Sequence, residues 1–250
     1  MEQNNGAVVT EFILLGFAGQ HRSWHILFAA FLVIYMATLV SNTGMILLIQ
    51  TDPALHTPMY FFLQHLALVD VGLLIQEDVI GTVVEPFHAV PGCFEDSGES
   101  ISFMGCLVQL FIYGAFATSE GFILASMAVD HYVAICKPLH YPVIMSQRAC
   151  VQLLLGSYVM GFLNASVNTS LTFSLDFCKS NLINHFFCDV PPILALSCSS
   201  IDFNTMVLTV FVGFNLTLTV LVIILSYIFI LAAILNSLLF YYVLPMQQLE

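Results

Sequence analysis

Positive charge is almost absent from this sequence: 250 residues hold four lysines and arginines, against 16 acids. Nucleic acid and anionic lipid surfaces are recruited by clusters of Lys and Arg, so neither is expected as a specific partner. Charge of either sign is scarce, at 8% of residues, where a soluble domain carries about 25%. The seven cysteines include no Cys-x-x-Cys pair, which leaves a zinc ribbon without ligands. His21 and His25 stand four apart but lack the further ligands that a metal pair needs. A Gly-rich phosphate loop and a Ser-His-Asp order are also missing, so an enzyme would have only Asp70 and Glu120, as an intramembrane acid pair. No catalytic residue and no cofactor is expected. The first 20 residues lack a basic start and a long apolar core, so no cleavable signal peptide is expected and the first span acts as its own targeting signal.

What is present is apolar. Hydrophobic residues make up 59% of the chain and the mean hydropathy is +0.95, which together specify an integral membrane protein. About 20 apolar residues cross a bilayer as a helix, and runs of that length predict spans at 25–49, 58–79, 102–135, 150–171 and 205–235. The fold class is therefore all-α, a polytopic transmembrane helix bundle in one domain. Residues 236–250 form an ambiguous apolar tail, which makes the last run too long for one ordinary helix and too short for two. Ser41, Asn42 and Thr43 notch the first span, as a functional contact or as glue between helices. Asp52-Pro53 ends that span, and Thr57-Pro58 opens the second with a cap and a first-turn proline. The third span, at about 1.5 Å per residue, is roughly 50 Å long and must tilt or project beyond the ~30 Å hydrocarbon core. Gln76, Glu77 and Asp78 suit the far interface, and 80–101 and 172–204 read as loops.

Basic residues do not set the orientation, because Lys137 and Arg148 on one side are balanced by Arg22 and Lys179 on the other. Cysteines do. Cys106, Cys178, Cys188 and Cys198 fall on one face, which suits an oxidising exterior and places the N-terminus outside.

Four ordered segments carry a family resemblance. Pro58-Met59-Tyr60-Phe61-Phe62-Leu63 leads to Leu66, Leu68 and Asp70. Met127 to Tyr141 reads Met-Ala-Val-Asp-His-Tyr-Val-Ala-Ile-Cys-Lys-Pro-Leu-His-Tyr. Phe177-Cys178 runs through Asn184-His185-Phe186-Phe187-Cys188-Asp189 to Cys198, and Ser226-Tyr227 closes the fifth span. Over roughly residues 10–235 the chain resembles the olfactory receptors of the rhodopsin-like G-protein-coupled class. The resemblance implies five spans of a seven-helix receptor fold, located in the plasma membrane and surrounded by the lipid bilayer. It further implies a small volatile odorant as ligand and a heterotrimeric G protein as partner.

The resemblance also distributes roles. It pairs Cys106 with Cys188 and Cys178 with Cys198, and leaves Cys93, Cys136 and Cys150 free. An odorant pocket would use Tyr113, Gly114, Ala117 and Thr118 of span three with Phe211, Val212 and Asn215 of span five; ordinary helix packing is the plain alternative. Asp70 lies about 18 Å and Glu120 about 24 Å from the cytosolic ends of their helices, so both acids stand near mid-membrane. An ionised carboxylate there is costly and must face the bundle interior. By resemblance these acids, with Asn42, form a buried sodium or proton site; a structural polar cluster is the other reading. The activation motif maps to Asp130, His131, Tyr132 and Tyr227. His131 departs from the family's Arg and loses the permanent charge and fork geometry, which puts G-protein coupling in doubt. Tyr158 replaces a common Trp. Three glycosylation patterns, at Asn164, Asn168 and Asn215, fall in membrane helices and read as chance.

After Leu235 the expected basic loop and the sixth and seventh helices of the family are not found, and 76–98 is acidic where the family tends to be basic. The expectation is a truncated product, impaired in signalling and subject to retention in the endoplasmic reticulum. An ion- or proton-handling membrane protein built on Asp70 and Glu120 is the alternative, although the repeated halves usual in transporters are missing.

Overall fold

A computed structural model describes residues 11–14, 24–79, 99–177, 181–183, 185 and 187–247. Five of its helices are long and apolar enough to cross a membrane: α1 (Trp24–Thr51), α2 (Pro58–Val79), α3 (Phe103–Cys136), α4 (Gln147–Phe173) and α5 (Asp202–Gln247). The helical bundle is as the sequence predicts.

Helix ends follow local chemistry. Asp52 leaves α1 and its carboxylate accepts from the Ala54 amide at 2.9 Å, with Pro53 starting a short 3-10 turn. Ser102 caps α3, its hydroxyl accepting from the Gly105 amide at 3.0 Å. Pro138 follows Lys137 at the other end, where a missing N–H cannot continue the helix. Two short helical turns, Tyr141–Ile144 and Val190–Ala195, lie in the connections on either side of α4.

The third helix is the hub, packed against α2, α4 and α5, while α1 leans on α2. Most large side chains of α1 and α5 face outward, among them Phe31, Val33, Val40, Phe214 and Leu221. In water that surface would be untenable; in a bilayer the lipid tails take the place of the protein core.

Two elements differ from the sequence reading. Residues 11–14, ahead of the first predicted span, and 99–101 and 182–183, within the predicted loops, belong to a three-stranded sheet of β1 (Glu11–Leu14), β2 (Glu99–Ser102) and β3 (Leu182–Ile183). β1 is central, antiparallel to β2 and parallel to β3. Pairing supplies the backbone partners, and Phe12 and Leu14 are buried beneath, with Ile101, Leu110, Ile183 and Ile193 in the outer apolar cluster. A second cluster, with Phe62, Val69, Ile123, Val133 and Leu154, fills the inner half.

The second difference is the tail: α5 continues without a break past Leu235 to Gln247, through Pro245. Its 46 residues, at about 1.5 Å each, make a helix of roughly 69 Å. No charge interrupts it between Asp202 and its end, so nothing in the sequence stops the helix at the membrane surface.

Candidate functional site

At the outer end, Cys106 of α3 is bonded to Cys188, with Cα atoms 5.5 Å apart. The bond ties the long loop to the hub helix, and Gln109 reinforces it by accepting from the Cys188 amide at 2.9 Å. Cys198 is also disulfide-bonded; its expected partner Cys178, like Cys93, lies outside the described residues. Cys136 and Cys150 are free thiols.

In the middle of the bundle, a chain of amides joins three helices. Asn164 of α4 donates to the Thr118 hydroxyl of α3 at 2.8 Å. Its own carbonyl oxygen accepts from Asn168 at 3.1 Å and from Asn215 of α5 at 3.3 Å. Asn215 also donates to the Phe211 carbonyl at 2.8 Å, and its backbone carbonyl accepts from Thr219. Asn164 and Asn215 are each 7% exposed, so both sequons containing them are folded into the bundle.

Of the residues expected to line a ligand pocket, the structure links Thr118 and Asn215 through Asn164. Gly114 sits against Ala165 of α4, and Tyr113 meets Phe187 of the loop with ring centroids 5.6 Å apart. Ala117 is half-buried on α3, while Phe211 and Val212 are exposed on α5. None of the seven lines either of two concavities. One is a crevice between α4, the Val190–Ala195 turn and α5, bounded by Asn168, Leu171, Leu194 and Leu208, with gaps too narrow for a water molecule. The other is an open groove of about 330 Å³ between α3 and α4, lined by Phe111, Thr169 and Phe173 among others. From the sequence Asn164 and Asn168 read only as chance glycosylation patterns. Their signal is two amides four apart inside an apolar run, the spacing that turns both to one helix face.

Deeper in α2, Asp70 is half-buried and hydrogen-bonded by the Asn42 side chain of α1, and Glu120 of α3 stands within electrostatic range of Asp70. The three residues expected to cluster are thus neighbours. Among the described residues no group of three or more His, Cys, Asp and Glu side chains is disposed to hold a metal ion.

At the inner end Asp130 is 1% exposed. Its carboxylate accepts from the Tyr141 hydroxyl at 2.9 Å, and His131 is near enough to act on it by charge. Tyr141 lies in the connection outside the spans. Burial, the hydrogen bond to Asp130 and the negative charge there push its phenol well above the ordinary tyrosine range. Tyr132 packs on Phe229 of α5, centroids 5.9 Å apart, and Tyr227 is exposed. The Tyr141 contact carries no periodic signal in the sequence, because it joins a helix to the loop beyond it.

Residues 31–238 match the family model described as olfactory receptor. The chain is 54% identical over 236 residues to the human olfactory receptor 5AK2, covering 94% of this chain and 74% of that one. It is 54% identical over 236 residues to the human olfactory receptor 5AK3, covering 94% and 76%. The mouse olfactory receptor 5AP2 is 48% identical over 236 residues, covering 94% and 72%. A disulfide-tied outer loop, a polar node inside an apolar bundle and the Met127–Tyr141 exit of α3 accompany that match, and the chain belongs to the olfactory receptor family.

Proposed function

We propose that this chain detects small volatile odorants where α3 faces α5, using Tyr113, Gly114, Ala117, Thr118, Phe211, Val212 and Asn215. The observation that supports it is the amide node: a few fixed polar groups among apolar and aromatic walls are what a small-molecule site requires. Binding of a panel of volatile compounds to the full chain in lipid nanodiscs tests the reading. At least one compound binds saturably, and Thr118→Val with Asn215→Leu weakens it; no saturable binding by any compound overturns it.

The cytosolic face of Asp130, His131, Tyr132 and Tyr227 is the proposed contact for a heterotrimeric G protein, weakened here because a histidine lacks the guanidinium fork. His131→Arg should strengthen binding of purified G protein, and unchanged binding would count against the role given to position 131. Asn42, Asp70 and Glu120 form the proposed sodium or proton site. The chain is placed in the plasma membrane with its N-terminus outside. An N-terminal epitope reachable only after permeabilisation would reverse that orientation.

A further inference from the structure

The amide node is internally directed. Both acceptors that Asn215 faces with its nitrogen, the Phe211 carbonyl and the Asn164 side-chain oxygen, are oxygens, so the orientation of its amide is fixed. Its two N–H groups are committed and its oxygen Oδ1 is buried without a partner. Asn168 repeats the pattern: its nitrogen donates to Asn164 and its Oδ1 is buried and unpartnered. The node therefore ends in two acceptors, one on α4 and one on α5, both attached to the same central residue. The crevice beside Asn168 is too narrow for water, so solvent does not supply the missing donor there.

We propose that the ligand of this chain is an alcohol with an aliphatic body, whose hydroxyl donates to Oδ1 of Asn215. This rests on the odorant reading above and narrows it to a chemical class. Asn215 has no free N–H, so an aldehyde, ketone or ether offers it only a second acceptor. A buried acceptor left unpaired is costly, and a donor that reaches it recovers that cost. Phe211 and Val212, apolar and exposed on α5, and Ala117 of α3 offer an alkyl chain apolar surface. Oδ1 opens onto neither concavity, so the ligand reaches it as side chains between α3 and α5 change rotamer on binding.

The test compares octanol, octanal and methyl heptyl ether on the full chain in nanodiscs. Octanol should bind about tenfold more tightly than the other two. Asn215→Leu should bring the three together, and Asn215→Ala serves as a second variant should the first fail to fold. Equal binding of alcohol and ether to the unaltered chain overturns the inference while leaving the odorant reading standing. A preference for octanol that survives in both variants also overturns it, because the donor would then be read elsewhere. No saturable binding by any of the three, or by the wider panel, removes both readings.

Discussion

Gly161 of α4 offers the sharpest test of how the bundle is packed. A Cβ at this position would collide with the Ser119 hydroxyl and with the Ala115 carbonyl of α3. Those neighbours have nowhere to go. Ser119 is 0% and Ala115 1% exposed, and the Ser119 hydroxyl donates to that same carbonyl at 2.8 Å. Gly161→Ala must therefore separate α3 from α4 by on the order of 1 Å to restore ordinary contact distances. Overpacking of this kind costs about 1–3 kcal/mol, and loss of the Ser119 bond adds about 1 kcal/mol. The sum of about 2–4 kcal/mol lowers the melting temperature of a chain this size by roughly 4–16 °C. Gly156, on the same helix, is the control, since a Cβ there meets nothing within 4 Å. Gly156→Ala should be neutral or stabilise by up to about 1 kcal/mol through helix propensity. Thermal unfolding of both variants in nanodiscs reads the difference. A Gly161→Ala protein that melts with Gly156→Ala would mean that α3 and α4 are not in the close approach described.

Three further outcomes follow from the three levels of the bundle. Cys106→Ser releases the outer loop, and opening a closure of 82 residues should cost about 2–5 kcal/mol; recovery of Cys188 as an alkylated free thiol from folded, unreduced wild-type chain would contradict the bridge. Tyr141→Phe leaves buried Asp130 without its hydroxyl donor and should destabilise by about 1–3 kcal/mol, an effect that Asp130→Asn in the same chain alters rather than adds to. Because the folded-state phenol is raised, its contribution is whole below about pH 10 and is lost as pH climbs through the folded value, so neutral pH should not affect it; a loss of the Tyr141 contribution between pH 6 and 9 would refute this. Asp70→Asn should abolish any sodium-induced rise in melting temperature, and an undiminished sodium effect would remove Asp70 from the ion site.

The membrane spans were legible because hydropathy is a property of long runs and survives any tertiary arrangement. The caps at Asp52 and Ser102 were as local, depending on a side chain and an amide a few residues apart. What could not be read was whatever joins distant segments. β1 is four residues long, and nothing in Glu-Phe-Ile-Leu says that its partners lie at 99–102 and 182–183. The tail past Leu235 was ambiguous for a different reason: hydropathy shows that it is apolar but not whether the helix breaks, and Pro245 near its end is weak punctuation. The candidate site falls between these cases. Thr118 and Asn215 are reachable through the resemblance, yet the residue that joins them, Asn164, reads in the sequence as a chance sequon.

The contacts along α3 also decide which of its neighbours can move. From Cys106 to Asp130 is 24 positions, about 36 Å of one helix, and it carries the disulfide, Thr118, Glu120 and the buried acid in sequence. Toward α4 that helix is locked by the backbone approach at Gly161 and by the Asn164–Thr118 bond. Toward α5 the contacts are softer. A Cβ at Gly121 would lie at ordinary contact distance from Thr219, Tyr132 packs on Phe229, and the Cys136 thiol reaches the Phe229 carbonyl at 3.8 Å. Sliding α5 would break weak contacts of this kind together with the side-chain bonds that Asn215 and Asn204 make to α4, whereas moving α4 would break close backbone packing. α3 and α4 thus form the frame, and α5, whose Asn215 carries an unpaired acceptor, is the element on which a bound molecule can act.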